Sequence, residues 1–196
     1  METREQTETT TIYKPVSFSE TILTELMIPA YSNFGGKIHG GILLSLMDKV
    51  AYVCAAKHAG NYCVTASIDT VNFLAPVEVG ELVSLMASIN YVGNTSLVVG
   101  IRVISENVKT NQVKHTNTCY FTMVAKDDNN EPVQVPGLTL ENQEQVRRFI
   151  EAKSRIDIRR QYRKELNDIN IPEKDEQCRL LLEGERCRVA YNGIKK

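Results

Sequence analysis

The sequence predicts an α+β domain in which one long helix covers one face of an antiparallel sheet. The segment 42–59 is strongly apolar and contains neither Pro nor Gly, so a helix of about five turns fits it. Four strand-like segments joined by short turns follow this helix, and one more precedes it. Short turns join antiparallel neighbours, and a single long helix is the obvious cover for such a sheet.

The predicted strands follow from side-chain patterns taken in chain order. Loose apolar alternation over 18–28 predicts the first strand, and Pro29 ends it. After the helix, Gly60 suits a left-handed cap, and the segment 63–73, rich in Val, Thr and Ile with period two, predicts the second strand. Turn residues then separate three more predicted strands, at 82–91, 97–105 and 113–125.

The loop before the helix carries four glycines within seven residues: Gly35, Gly36, Gly40 and Gly41. Glycine allows the backbone to turn tightly or to approach a ligand closely. A helix that begins here leaves amide N–H groups unpaired, with the positive end of the helix dipole behind them. Such a helix start can hold an anion or the oxygen of a polarised carbonyl, although tight packing of helix on sheet would also explain the glycines.

Asp48 interrupts the apolar pattern about two turns into the helix. Because the helix is apolar on nearly all sides, we expect it to be buried. A buried carboxylate is costly unless it is paired or its pKa rises, and catalytic bases occur in that situation. The residues alone leave two interpretations open: a catalytic base, or a carboxylate at the helix edge that pairs with a nearby Lys or Arg.

Composition divides the chain into four parts. Residues 1–12 are polar and Thr-rich and are predicted to be flexible, whereas 13–137 hold the helix and the sheet. Residues 138–166 are predicted to form a charged helical extension, and 167–196 are a tail of unknown role. The basic residues of the extension fit either a solvated helix surface or a phosphate-binding surface.

Overall composition argues against several classes of protein. The 196-residue chain is 42% apolar and 24% charged, as globular proteins are, and its net charge of -1 argues against a generally basic nucleic-acid surface. No apolar run is long enough for a membrane span, and the polar start is no secretory signal. Five cysteines form no CxxC pair, which favours a reduced, cytoplasmic protein. No His, Cys and carboxylate cluster has the spacing of metal ligands, so we expect no metal.

Several short motifs occur together and in a particular order. They are Asn33-Phe34-Gly35-Gly36, His39-Gly40-Gly41, Met47-Asp48, Val64-Thr65-Ala66-Ser67-Ile68-Asp69, Asn72-Phe73, Pro76-Val77 and Tyr91-Val92-Gly93-Asn94-Thr95-Ser96. Over roughly residues 18–165, the chain resembles the hotdog-fold acyl-CoA thioesterases, in particular the cytosolic long-chain (brain-type) acyl-CoA hydrolases and their bacterial relatives. The resemblance implies a five-stranded antiparallel sheet wrapped around the central helix, and hydrolysis of fatty acyl-CoA to fatty acid and coenzyme A.

The resemblance also implies roles for particular residues. Asn33 and Asp48 match the family's catalytic pair, so Asn33 of one subunit would face Asp48 of another. Asp48 would act as base or nucleophile, Asn33 would orient the water or the carbonyl, and the amides of Gly40 and Gly41 would hold the oxyanion. Because the chain holds one hotdog unit with both positions intact, at least a homodimer is implied, and a trimer of dimers is expected. No cofactor is implied, because coenzyme A enters as part of the substrate.

The coenzyme A moiety is expected to contact two further segments. Relatives of this family place the pantetheine arm of coenzyme A where Asn72 and Phe73 lie. They place its nucleotide end near the turn formed by Gly93, Asn94, Thr95 and Ser96. A turn between two strands needs no ligand to explain it, so the ordinary structural interpretation stays open beside this one.

Two other functions are compatible with a hotdog domain. A hydratase or dehydratase acting on acyl thioesters pairs a His with a carboxylate, and the first His after Asp48 is His58, ten residues on. A non-catalytic acyl-CoA sensor would keep the glycine-lined helix start but would not need Asp48. The fold alone cannot separate these functions, whereas Asn33 together with Asp48 favours the hydrolase.

Overall fold

The computed structural model describes residues 12–172 and 175–190 of the chain. Within this part the chain divides into two compact units, one that ends at Lys153 and one that begins at Ser154. The predicted flexible segment 1–12 lies outside the described residues except for Ile12, and so does the end of the predicted tail, 191–196.

Helices and strands alternate in an order close to the predicted one. In chain order they are β1 (Tyr13–Pro15), α1 (Val16–Ser19), β2 (Thr21–Leu26), a 3-10 turn (Pro29–Tyr31), α2 (Gly40–Ala59), β3 (Tyr62–Ile68), β4 (Leu82–Val92), β5 (Ser96–Asn107), β6 (Gln112–Lys126), β7 (Gly137–Thr139), α3 (Gln143–Asn167) and α4 (Asp175–Leu181). Five of the strands form one antiparallel sheet with the order β2-β4-β5-β6-β3. The predicted α+β class and the sheet around a long central helix are confirmed.

Helix α2 packs one side on the inner face of this sheet. Alternate residues of β4, β5 and β6 point to it, and they form one apolar core with the buried side of the helix. The buried helix residues are Leu43, Leu46, Met47, Val50, Ala51, Cys54, Ala55, His58 and Ala59. Gly60, with a φ of 74°, ends the helix in the left-handed conformation that its sequence predicts.

The opposite side of α2 is exposed, which corrects the expectation that the whole helix is buried. Ser45 and Asp48 are exposed, and Tyr52 and Val53 keep 40% of their surface accessible. The apolar pattern suggested complete burial because residues such as Val53 belong to it, yet within one chain only the sheet side has a partner.

Two strands differ from their predicted bounds by more than two residues. The first strand begins at Thr21 and not at residue 18, because the chain before it forms β1 and α1, and β1 pairs in parallel with β7. Strand β3 ends at Ile68 and not at residue 73. The segment 69–76 still runs beside β6, but side chains replace part of the backbone ladder, as described below.

The charged extension is helical, as predicted, and charged residues of its first turns pair with one another. Glu144 bonds both Arg147 and Arg148, and Arg147 also bonds Glu151. The hydrogen bonds from Arg147, and then those from Arg148, lower the pKa of the Glu144 carboxyl to about 2. Pairs of this kind, three and four residues apart, are typical of a solvated helix face. Within the first unit, the Phe149 ring also packs 5.1 Å from the ring centre of Tyr91.

Candidate active site

The start of α2 leaves a single vacant donor in its first turn. His39 caps the helix: its Nδ1 accepts the Gly41 N–H at 2.9 Å, and its carbonyl accepts the Ile42 N–H at 3.0 Å. The Gly40 N–H has no acceptor among the described residues. Of the two glycine amides expected to hold an oxyanion, Gly40 is therefore available as it stands, whereas Gly41 already donates to the imidazole.

Asn33 organises the glycine loop through its side-chain oxygen. Oδ1 accepts from the backbone N–H of Gly35 at 2.9 Å and of Lys37 at 3.2 Å, and the Asn33 N–H donates to the Lys37 carbonyl at 2.7 Å. This is the turn-forming use that is common for Asn. Because Oδ1 is engaged and Nδ2 has no acceptor in the described part of the chain, the side chain presents an N–H₂ donor.

Asp48 is hydrogen-bonded to a residue that the sequence did not single out. The Thr65 hydroxyl, on β3, donates to Asp48 Oδ1 at 2.6 Å. Both residues are exposed in the single chain, and no Lys or Arg side chain among the described residues pairs with Asp48. The alternative of an edge carboxylate paired with a cation is therefore not what the structure shows. The only sequence signal for Thr65 is its place inside the Val64-to-Asp69 motif.

Asp48 and the helix start are well separated along α2. Asp48 lies eight residues after Gly40, and at 1.5 Å per residue the two are about 12 Å apart along the helix axis. A carbonyl whose oxygen is held by the Gly40 amide needs an attacking atom, either a nucleophile or a water bound to a base, about 3 Å from its carbon. This separation favours a site that takes the two residues from two copies of the chain.

Phe73 lies against the glycine-lined helix start. A Cβ placed on Gly40 would be 3.2 Å from Phe73 Cζ, so glycine is the residue that lets the ring approach this closely. The neighbouring Asn72 offers its carbonyl to the buried side chain of Asn117 at 3.0 Å. The structure thus brings Phe73, one of the residues expected to contact coenzyme A, beside Gly40, the residue whose amide is vacant.

The turn expected near the coenzyme A nucleotide is held by its own backbone. Gly93 N–H donates to the Ser96 carbonyl at 2.8 Å, while the carbonyls of Asn94 and Thr95 accept from Val135 and Ala125. No hydrogen bond in residues 12–172 joins this turn to the glycine loop or to Asn72. Within the described chain, the structure therefore does not link this turn by hydrogen bonds to the other predicted site residues.

A cavity of about 670 Å³ lies on the outer face of the sheet, away from these residues. Its floor includes Met86, Asn90 and Arg102, and the first turns of α3 border it. None of the predicted site residues lines it. Among the described residues, no group of three His, Cys, Asp or Glu side chains could hold a metal ion, and no described helix is long and apolar enough to span a membrane.

Sequence comparison relates the chain to a family and to named hydrolases. Residues 35–111 match the family described as the thioesterase superfamily. The chain is 45% identical over 141 residues to Protein VdlD of Helicobacter pylori, which covers 72% of this chain and 80% of that protein. It is 32% identical over 142 residues to the cytosolic acyl coenzyme A thioester hydrolase of Rattus norvegicus, covering 71% of this chain and 37% of that longer protein.

Solved structures of acyl-CoA hydrolases share the fold. An acyl-CoA hydrolase of Staphylococcus aureus in complex with butyryl coenzyme A, coenzyme A and coenzyme A disulfide is 31% identical, with a TM-score of 0.73 over 79% of this chain and 94% of that one. An apo-hexameric acyl-CoA thioesterase is 34% identical, with a TM-score of 0.74 over 81% and 99%. The S. aureus enzyme has also been solved with an aspartate, an asparagine or a threonine replaced by alanine.

Proposed function

The chain belongs to the thioesterase superfamily, and from that premise we propose that it is an enzyme that hydrolyses fatty acyl-CoA to a free fatty acid and coenzyme A. One observation carries the proposal: α2 presents a vacant amide donor at Gly40 and, on its exposed side, a carboxylate at Asp48 that is oriented by Thr65. Acyl transfer from a thioester needs these two components, an oxyanion donor and a base or nucleophile.

The proposed site lies between two subunits. The separation of about 12 Å between Gly40 and Asp48 along one helix supports this arrangement, because neither can serve a carbonyl bound at the other. The exposed side of α2 supports it too, since Tyr52, one turn after Asp48, and Val53 leave apolar surface on that side that a second copy would cover. Each active site would then combine Asn33 and Gly40 of one subunit with Asp48 and Thr65 of its partner.

In the proposed reaction, the donors hold the thioester and the carboxylate activates water. The Gly40 N–H and the Asn33 amide N–H₂ bond the carbonyl oxygen and stabilise the negative charge that develops on it. Asp48 Oδ1 is occupied by the Thr65 hydroxyl, which leaves Oδ2 to take the proton from water as it attacks the carbonyl carbon. The tetrahedral intermediate collapses, the carbon–sulfur bond breaks, and the leaving coenzyme A thiolate takes back the proton that Asp48 removed from water. Direct attack by Asp48 through a covalent anhydride is the alternative route.

The spacing of residues in a relative supports the choice of side chains. In the S. aureus hydrolase, the asparagine, aspartate and threonine chosen for replacement by alanine are 15 and 17 positions apart, in that order. Asn33, Asp48 and Thr65 have the same two intervals here.

Neither competing function is favoured by a specific feature. A hydratase or dehydratase needs a His near the carboxylate, but His58 is fully buried at the far end of α2, where it contacts Ser19 and the Pro136 carbonyl. An acyl-CoA sensor would have no use for a carboxylate held at 2.6 Å by a hydroxyl. We therefore favour the hydrolase over both alternatives.

The proposal also covers the contacts of coenzyme A, the number of subunits and the location of the protein. We expect the pantetheine arm at Asn72 and Phe73 and the nucleotide end at the 93–96 turn, with no cofactor besides the substrate's own coenzyme A. Hexameric structures among the relatives support a trimer of dimers. The rat relative's cytosolic name and the five unpaired cysteines support a cytoplasmic location.

Subunit complementation tests both the activity and the shared site. Free-thiol release from a panel of acyl-CoAs is measured for the wild type, for Asn33→Ala, for Asp48→Asn, and for the two variants mixed, unfolded and refolded together. Each variant alone carries one defect in every site, so we expect both to be nearly inactive. In a random mixture half of the dimers are mixed, and one of their two sites is intact, so about a quarter of the wild-type rate should return.

Two results would contradict the proposal in different ways. Wild-type protein that binds acyl-CoA but releases no thiol from any chain length would favour the sensor. A mixture that stays as inactive as its components, although native mass spectrometry shows mixed dimers, would place Asn33 and Asp48 in the same chain's site.

A further inference from the structure

The irregular segment 69–76 is held along β6 by four hydrogen bonds. In order they are Asp69 N–H to the Tyr120 carbonyl at 3.0 Å, Asn117 Nδ2 to the Asn72 carbonyl at 3.0 Å, Leu74 N–H to the Thr116 carbonyl at 2.9 Å, and Lys114 Nζ to the Pro76 carbonyl at 2.9 Å. The segment therefore follows β6 as a strand would, but side chains supply two of the donors. A register shift between β5 and β6, beside Asn117, accompanies this change.

Asn117 is an unusual residue for this position. It is fully buried, and it points inward from the sheet beside the apolar core. Its Nδ2 serves the Asn72 carbonyl, whereas its Oδ1 is buried without a hydrogen-bond partner in the described chain. A buried polar atom left unpaired is destabilising, so an apolar side chain would suit the core better. The contact that Asn117 provides, despite its destabilising unpaired oxygen, is the hydrogen bond to the Asn72 carbonyl.

That bond lies next to the aromatic ring at the helix start. Asn117 holds residue 72, β6 holds residue 74 through the Thr116 carbonyl, and Phe73 lies between these two fixed points. Its ring reaches Gly40, whose amide is the vacant donor of the first turn. An apolar ring beside a hydrogen-bond donor keeps water from it and strengthens its interaction with developing charge.

We propose that Asn117 is a positioning residue for thioester hydrolysis: by bonding the Asn72 carbonyl, it fixes the Phe73 ring beside Gly40. This inference rests on the proposed function. Asn117 itself is buried behind the segment and does not touch the substrate; it acts through Phe73. Loss of the bond lets residues 72–74 move away from the helix start, which exposes the donor to water and misplaces the thioester.

A double-mutant cycle on thiol release tests whether Asn117 acts through Phe73. The variants are Asn117→Ala, Phe73→Ala and the double variant, with Asn90→Ala as the matched control. Asn90 is a second buried Asn of the sheet, but it faces the outer cavity and bonds Ser88. We expect Asn117→Ala and Phe73→Ala each to lower kcat by about tenfold or more, since small misplacements of a bound substrate have effects of this size. The double variant should be no slower than Phe73→Ala, and Asn90→Ala should keep the wild-type kcat.

Effects that multiply in the double variant would overturn the proposal, because independent sites add in free energy. A fall in kcat for Asn90→Ala equal to that for Asn117→Ala would also overturn it, because any buried Asn would then matter alike.

Hydrogen exchange of the Leu74 amide gives a readout that does not need activity. We expect exchange at Leu74 to be faster in Asn117→Ala and unchanged in Asn90→Ala, at a temperature where both variants are folded. Unchanged exchange at Leu74 would refute the positioning role even in an active enzyme. Wild-type protein without thioesterase activity would instead refute the proposed function, while the exchange result would still report on the contact.

Discussion

Replacing Thr65 by Val removes the hydroxyl that holds Asp48 and leaves the shape of the side chain nearly unchanged. Val is β-branched like Thr, so it suits strand β3 equally well. The main lost contact is the 2.6 Å bond from Thr65 Oγ1 to Asp48 Oδ1, and a longer contact of 3.5 Å with Met123 Sδ is lost with it. Because both side chains are exposed within one chain, we expect the stability of the fold to change little.

The size of the effect on turnover follows from the charge of the acceptor. A hydrogen bond to an ionised group contributes about 1.5–3 kcal/mol, which corresponds to about 10- to 150-fold in rate if it is fully used in the transition state. Because Thr65 and Asp48 are exposed in the isolated chain, we expect a contribution at the lower end of this range. We therefore expect kcat to fall by about 10- to 30-fold, while KM changes little, because Thr65 orients the base and is not expected to bind substrate.

Free-thiol release under saturating acyl-CoA measures this change directly. Thr24→Val is the matched control, because Thr24 is also exposed on a strand and its hydroxyl bonds another hydroxyl, that of Ser84, at 3.1 Å. An equal fall in kcat in both variants would show that the effect comes from a general disturbance of the fold and not from the contact with Asp48. A kcat within about twofold of wild type for Thr65→Val, alongside an inactive Asp48→Asn, would refute the role assigned to the hydroxyl.

Three further predictions concern the base, the helix start and acid stability. Asp48→Asn keeps the shape and can still accept from Thr65, so thiol release should fall by about 100-fold or more with an unchanged melting temperature; a near-normal rate would remove Asp48 from the mechanism. Gly40→Ala places a Cβ 3.2 Å from Phe73 Cζ, so the ring must shift and kcat should fall about tenfold, whereas wild-type kinetics would show that the ring can yield freely. Burial raises the pKa of Glu81, but bonds from Lys114 and the Glu78 amide outweigh it and hold that pKa below the usual 4.5. The stabilisation from these contacts of Glu81 is therefore present above about pH 4.5 and is lost as the pH falls through the folded pKa of Glu81. Urea unfolding from pH 7 to pH 3 should therefore show a fall in the free energy of unfolding, and Lys114→Met should make that fall smaller.

Local signals in the sequence were enough for the main elements. The run without Pro or Gly defined α2, Gly60 marked its end, and alternation between turn residues placed β4, β5 and β6 to within a few residues. These features depend on the backbone preferences and side-chain periods of neighbouring residues, which a sequence carries in full. The motif order likewise identified the family.

Features that depend on distant residues were missed. Strands β1 and β7 pair across more than 120 residues, and each is only three residues long, so neither has a detectable period. Strand β3 was predicted too long, because alternation continues to Phe73 while the backbone ladder gives way to the Asn117 side chain. Periodicity shows which way side chains point, but not which donor meets which carbonyl.

The chemistry of the candidate site divides in the same way. The sequence by itself determined that Asn33, Gly40 and Asp48 belong to a glycine-lined helix start and the helix behind it, because these residues are close along the chain. Only the tertiary structure decided that Thr65 holds Asp48, that His39 occupies the Gly41 amide, and that Asp48 is exposed. Hydrogen bonds between elements and burial depend on how α2 packs on the sheet, and packing is a property of three-dimensional distances that a one-dimensional pattern does not contain.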